Sequence, residues 1–126
     1  MAYLIDSNVI INYMAQNFNN KVLAKLDAVF DASFNYSVIS KMEVLGYKLT
    51  IAEINSLEDL FNNGNIFQIT DDVVTEVINI RRTVKVKLPD AIIAAKAIIN
   101  NFELVTDNIT DFSKAPGLKV IKPESL

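Results

Sequence analysis

The chain contains no cysteine and no histidine. Without cysteine there is no disulfide staple, no thiolate nucleophile and no cysteine-ligated zinc. Without histidine the commonest side-chain acid and base is missing. The lack of cysteine fits a reducing compartment. No apolar run reaches the ~20 residues of a membrane span, so no membrane association is expected. The opening Met1-Ala2-Tyr3-Leu4-Ile5-Asp6 has neither a basic segment nor a long apolar stretch. It does not read as a signal peptide, and a cytoplasmic location is expected. A positive excess is also absent. The formal net charge is −3, which weighs against strong general affinity for nucleic acid. No linker, repeat or low-complexity stretch interrupts the chain.

What is present is a single domain's worth of apolar residues. The 126 residues are 51% hydrophobic, enough for a full core. The expected division is one domain over residues 1–122 and a loose C-terminal tail over 123–126. Residues 2–5 form a short apolar run without helical period and predict a buried strand. Asp6-Ser7-Asn8 then offers three N-cap residue types before Val9, Ile10, Tyr13 and Met14 at helical spacing. A second helix is predicted over 21–30 and a strand over 34–39. Ser40-Lys41-Met42-Glu43 and Thr50-Ile51-Ala52-Glu53 both have the form of a capping box. The second box opens a helix running to about residue 62 and stopping at Gly64. A third strand is expected over 66–69, a helix after Thr70-Asp71-Asp72, and a buried helix over 90–100 with Pro89 at its N1 position. Strands over 103–106 and 119–121 complete the pattern. Alternating strands and helices predict an α/β sandwich with a mostly parallel sheet of about five strands.

Several acids fall where a strand ends or a helix begins. Each has an ordinary explanation. Asp6 is a plausible N-cap, although Ser7 or Asn8 would serve equally. Glu43 would sit at N3 of its capping box. Asp90 follows Pro89 in a first turn, where it complements the helix dipole. Asp107 and Asp111 are common turn residues. Taken together they say more, because ligands of a parallel sheet bind beyond the carboxyl ends of its strands. Two carboxylates ~5 Å apart repel by roughly 3 kcal/mol at an effective dielectric of 20, so such a cluster calls for a cation. Oxygen-only ligands suit Mg²⁺ or Mn²⁺ rather than zinc. With histidine and cysteine absent, metal-assisted phosphodiester cleavage is the chemistry that remains.

Four segments in order resemble the PIN domain, and within it the VapC-type ribonuclease toxins of toxin–antitoxin pairs. They are Leu4-Ile5-Asp6-Ser7-Asn8-Val9-Ile10, Ser40-Lys41-Met42-Glu43-Val44-Leu45-Gly46-Tyr47, Leu88-Pro89-Asp90-Ala91-Ile92-Ile93-Ala94-Ala95, and Leu104-Val105-Thr106-Asp107-Asn108 continuing to Asp111-Phe112. The resemblance implies a PIN-like three-layer sandwich and hydrolysis of RNA with Mg²⁺ or Mn²⁺. It implies that Asp6, Glu43 and Asp90 are metal-site acids, with Glu43 either holding metal or orienting the attacking water. The fourth position stays open. Asn108 matches the family's Asn/Asp and is neutral, while Asp107 and Asp111 flank it. Ser7, Thr106 and Asn108 would support the site. The resemblance further implies a small antitoxin partner and a homodimer, with Ile11, Tyr13, Met14 and Tyr47 as candidate contacts. Arg81, Arg82, Lys85 and Lys87 form the one dense basic cluster and are candidates for RNA phosphates; their plain alternative is a solvated helix face.

Competing readings fail on single residues. A response-regulator receiver needs an acidic pair where Asp6-Ser7-Asn8 stands, and a haloacid-dehalogenase-type phosphatase needs Asp-x-Asp where residue 8 is Asn. The rival from another class is a PIN-fold RNA- or protein-binding module without catalysis, which the neutral Asn108 and the acidic charge favour.

Overall fold

The computed structural model describes residues 2–126. The chain runs β1 (Tyr3–Ile5), α1 (Ser7–Met14), α2 (Asn20–Ala32), β2 (Asn35–Ser37), α3 (Val38–Leu45), α4 (Ile51–Asn62), β3 (Asn65–Phe67), α5 (Asp71–Thr83), α6 (Leu88–Ile99), β4 (Glu103–Val105), α7 (Ile109–Phe112) and β5 (Lys119–Ile121). All strand pairing is parallel, in two ladders of order β1-β4-β5 and β2-β3. β2 lies beside β1, and the Asn35 side-chain amide donates to the Tyr3 carbonyl at 2.9 Å. The five strands thus form an α/β sandwich of the expected class, with the ladder interrupted between β1 and β2.

Helices cover both faces, so the central strands are buried on both sides and read as unbroken apolar runs. Alternation along each strand decides which core a residue enters. Leu4 and its register partner Leu104 join the core under α5 and α6. Ile5 and its partner Val105 join the core under α1, α2 and α4. α6 packs on α5 more extensively than any other pair of elements. Its buried Ala91, Ala94, Ala95 and Ala97 allow that close approach. α6 then stops sharply. Asn101 takes a left-handed φ of 54°, and the amides of Phe102 and Asn101 return to the carbonyls of Ala97 and Ile98 at 2.8 and 3.2 Å. This 6→1 and 5→2 pair is a Schellman ending, and it turns the chain directly into β4.

Two expectations are corrected. α3 begins at Val38, because the Ser37 hydroxyl accepts the Ile39 amide at 3.2 Å and caps the helix there. The β-branched Val38-Ile39 extends the apolar run and so mimics two more strand residues. Ser40 and Glu43 are therefore inside the helix, and no capping box forms at Ser40. Of the three N-cap candidates at the start of α1, the structure uses Asp6. The last residues are not a loose tail. Pro123–Ser125 make a 3₁₀ turn against α2, Pro123 is buried, and Lys25 Nζ donates to the Glu124 carbonyl at 2.9 Å. The Thr50 box forms as expected, with reciprocal bonds of 3.1 and 3.0 Å to Glu53. Among the described residues no helix is long and apolar enough to cross a membrane.

The aromatic side chains Phe34, Tyr36 and Phe61 pack around the end of α4, and Gly64 lies against them. A Cβ at residue 64 would stand 2.5 Å from the Phe34 ring, 2.7 Å from the Phe34 carbonyl oxygen and 2.9 Å from the Tyr36 ring. Gly64→Ala is expected to destabilise the fold by about 1–3 kcal/mol, the usual range for overpacking. Urea denaturation measures this directly. An unchanged midpoint would mean that the aromatic cluster yields freely.

Candidate active site

The site is assembled at the carboxyl end of β1 and β4. Asp6 follows β1 directly, and its amide extends the ladder by donating to the Val105 carbonyl at 3.0 Å. The side chain is 4% exposed. One carboxylate oxygen, Oδ1, accepts the Ser7 amide at 2.8 Å, and Oδ2 accepts the Thr106 hydroxyl at 2.8 Å. Thr106 is anchored in turn, since its amide donates to the Ile121 carbonyl of β5 at 3.0 Å. Its Oγ1 also accepts the Asn108 amide at 2.9 Å. The Ser7 hydroxyl donates to Glu43 Oε1 at 2.7 Å, which ties α3 to the start of α1. Asp90 lies in the first turn of α6, after Pro89.

Electrostatics shows which acids face one another. Burial pushes the Asp6 carboxyl up to about 6. The bonds from Thr106 and Ser7 oppose the rise, and the charges of Asp90 and Glu43 add to it. Asp90 is also raised, first by burial and then by Glu43 and Asp111, with Lys87 opposing. Asp6, Glu43, Asp90 and Asp111 therefore share one region. Asp107 points elsewhere: burial and Glu124 raise it, while Asn12 and Lys122 lower it. Asp111, in the short helix α7, accepts from the Asn108 side-chain amide at 3.2 Å and pairs with Lys114 at 3.8 Å. The sequence reading missed Lys114, although its i,i+3 spacing from Asp111 was a legible signal.

Among the described residues no three acidic side chains stand close enough to hold a metal ion as placed. The donors still fit a hard divalent cation in kind. They are oxygen-only and mutually repelling, and among the described residues Lys87 is the one cation that lowers Asp90. The basic cluster divides. Lys87 is the N-cap of α6 beside the acids. Lys85 is exposed in the preceding segment. Arg81 and Arg82 instead line an apolar groove between α5 and α6. Ile11, Met14 and Tyr47 line a separate cavity of about 510 Å³ with Val44, Leu49 and Leu57. Tyr13 donates its hydroxyl to Asp27.

The Asp6 shift has a stability consequence. Its folded pKa of about 6 lies above the ordinary 3.8, so the folded state holds a proton more tightly than the unfolded chain. That contribution is complete below the unfolded value and is lost as pH rises through about 6. It amounts to roughly 3 kcal/mol in full, of which about 1.4 kcal/mol falls between about pH 5 and pH 7.5. Without divalent cations the protein should lose stability over that interval. Asp6→Asn should flatten the slope and be the more stable form at the upper end. Denaturant titration at the two pH values tests this, and an equal slope in the variant would contradict it.

Comparison with known proteins bears on the fold and the family. The sequence finds no match among curated proteins. The fold is similar to a solved chain from a toxin–antitoxin complex of Klebsiella pneumoniae, at 27% identity and TM-score 0.76 over 99% of this chain and 100% of that one. It is similar to a chain of DNA-bound VapBC from Salmonella typhimurium, at 17% identity and TM-score 0.83 over 98% of both chains. It is similar to a chain of VapBC2 from Rickettsia felis bound to a promoter DNA fragment, at 19% identity and TM-score 0.82 over 97% of this chain and 98% of that one. Residues 3–118 match the PIN domain, and the chain therefore belongs to the PIN-domain family.

Proposed function

We propose that this chain is a Mg²⁺- or Mn²⁺-dependent endoribonuclease and the toxin of a toxin–antitoxin pair. The observation that carries the reading is the group of Asp6, Glu43, Asp90 and Asp111, whose charges raise Asp6 and Asp90 in a chain without histidine or cysteine. The likeness to chains from toxin–antitoxin complexes supports the biological setting, and the motif resemblance to VapC-type ribonucleases supports RNA as substrate.

Asp6, Asp90 and Asp111 are the residues that would hold the ion. When bound, a divalent cation supplies Lewis acidity, lowering the pKa of water and offsetting charge on the phosphate. The protein's part is positional. Thr106 and the Ser7 amide fix the Asp6 carboxylate on both oxygens. The Ser7 hydroxyl engages Glu43 at Oε1, leaving Oε2 to orient the attacking water and accept its proton. Asn108 links Thr106 to Asp111 through its amide and its side chain. Lys87, beside Asp90, places a positive charge where an RNA phosphate would approach. Asp107 is assigned no part.

The non-catalytic alternative has one observation in its favour: no three acids are close enough to hold a metal as placed. Cleavage of single-stranded and structured RNA with Mn²⁺, Mg²⁺ or EDTA separates the two. The nuclease reading expects EDTA to stop cleavage. It expects Asp90→Asn and Asp111→Asn to lose at least about 100-fold and 10-fold respectively, and Asp107→Asn to stay near wild type. Cleavage that survives both EDTA and Asp90→Asn would defeat it. RNA binding without cleavage, unaffected by metal, would establish the binding module. For the partner, the protein encoded by the adjacent reading frame should co-purify and inhibit cleavage. Failure to form a complex would remove the toxin–antitoxin assignment and leave the nuclease reading standing.

A further inference from the structure

Two buried oxygens near the start of α1 and α3 are left without partners. Among the described residues, Asn8 Oδ1 and Ser40 Oγ are the buried side-chain polar atoms that make no hydrogen bond. Ser40 is fully buried. A serine inside a helix ordinarily turns its hydroxyl onto the carbonyl four residues back. Here that carbonyl belongs to Tyr36, and the bond is not made. A direct bond between Ser40 and Asn8 would satisfy both oxygens, and it is not made either. A buried polar group left unpaired destabilises the fold, and such groups generally meet protein or ordered water.

Helix geometry brings the two oxygens towards each other. α1 packs on α3, and the two run in the same sense. The Ser7 hydroxyl meets Glu43 at 2.7 Å, and further along Ile11, Met14, Val44 and Tyr47 line one cavity. Asn8 lies one turn before Ile11 on the same face of α1, and Ser40 one turn before Val44 on the same face of α3. Side chains lean towards the start of their helix, so the Glu43 carboxylate lies over the turn that carries Ser40. The two helices do not close tightly on each other, as the cavity of about 510 Å³ shows. A single water fits a space of that kind when polar groups line it.

We propose that Asn8 and Ser40 hold a buried water that positions Glu43. The donors and acceptors balance. The water accepts the Ser40 O–H, donates one hydrogen to Asn8 Oδ1 and donates the other to the Glu43 carboxylate beside the Ser7 hydroxyl. Three bonds are usual for a buried water, and both oxygens gain a partner. A carboxylate oxygen can accept two hydrogen bonds, so Glu43 Oε1 takes both Ser7 and the water. Oε2 then keeps a fixed direction towards the acidic group. The catalytic value of that direction rests on the nuclease reading of Glu43, whereas the water site does not. Asn8 and Ser40 are positioning residues, acting on the reaction only through Glu43.

Urea denaturation of the full chain tests the site independently of activity. Removing a hydroxyl that has no partner leaves the fold as stable or more so. With the water in place, Ser40→Ala should instead lower the folding equilibrium constant about 5-fold. Asn8→Ala should cost less in the Ser40→Ala background than in the wild type, because both changes remove bonds to one molecule. Ser40→Ala as stable as wild type overturns the proposal, and so does an equal cost of Asn8→Ala in both backgrounds. A crystal structure should show a water in contact with Ser40 Oγ and Asn8 Oδ1. A Ser40 hydroxyl bonded to the Tyr36 carbonyl in its place overturns the proposal too. For Glu43, Ser40→Ala should lower kcat for Mn²⁺-dependent RNA cleavage about 10-fold, with KM changed by less than about 2-fold. An unchanged kcat, or a loss confined to KM, removes the positioning role. A wild type that cleaves no RNA defeats the nuclease reading, and the denaturation cycle then decides the water site alone.

Discussion

A carboxylate buried at the end of a central strand is the constraint on which this molecule turns. Asp6 sits where β1 becomes α1, walled by β4 on one side and by the apolar core beneath α1. Removing a charged carboxyl from water is costly unless hydrogen bonds and opposite charge compensate. The fold supplies two hydrogen bonds, from Ser7 and Thr106. Among the described residues no cation opposes the rise at Asp6, and Asp90 and Glu43 add repulsion. The carboxyl is consequently pushed up to about 6. A divalent cation would convert that unfavourable balance into a favourable one, which is the physical basis for reading the site as a metal centre.

The sheet sets the positions that matter. Thr106 reaches Asp6 because β4 runs parallel to β1 in register, Leu104 against Leu4 and Val105 against Ile5, and because β5 holds the Thr106 amide. α6 delivers Asp90 from the opposite direction, anchored by its alanine-rich packing on α5 and by the Schellman ending that feeds β4. α3 delivers Glu43, whose tether is the Ser7 hydroxyl. Each acid comes from a different element, so the group depends on the tertiary fold rather than on any local motif.

Much of this was legible in the sequence. The strands expected over 2–5 and 103–106 were legible because β1 and β4 are central and covered on both faces, which leaves little polar alternation. The edge strand at 119–121, by contrast, has an exposed Lys119 and only Val120 and Ile121 to mark it. Asp6 and Asp90 stood out because each lies where an apolar strand ends or a helix begins, and Glu43 stood out through the Ser40 capping-box pattern, although it lies inside α3. The start of α3 was misread, since Val38 and Ile39 suit a strand and only the Ser37 cap bond ends it. The choice between Asp107 and Asp111 was not legible. They are four residues apart, Asp107 before the N-cap of α7 and Asp111 within that four-residue helix, and which one turns toward Asp90 depends on the short helix forming. The settled C-terminal turn was also hidden, because Pro123 and Leu126 are too few to show a pattern. Their burial becomes apparent only against α2 and the neighbouring core.

The central claim is that the Asp6 carboxylate is a cation ligand kept partly protonated by its surroundings. Ligands must lose their protons to bind metal. Calorimetric titration of the protein with Mn²⁺, in buffers of differing ionisation enthalpy, counts the protons released. Near pH 6, binding should expel about half a proton from Asp6, with a further fraction from the raised Asp90, and the release should vanish by about pH 8. Asp6→Asn should bind more weakly and lose its share of the release. Binding with no proton release at either pH, or equal affinity in Asp6→Asn, would contradict the account.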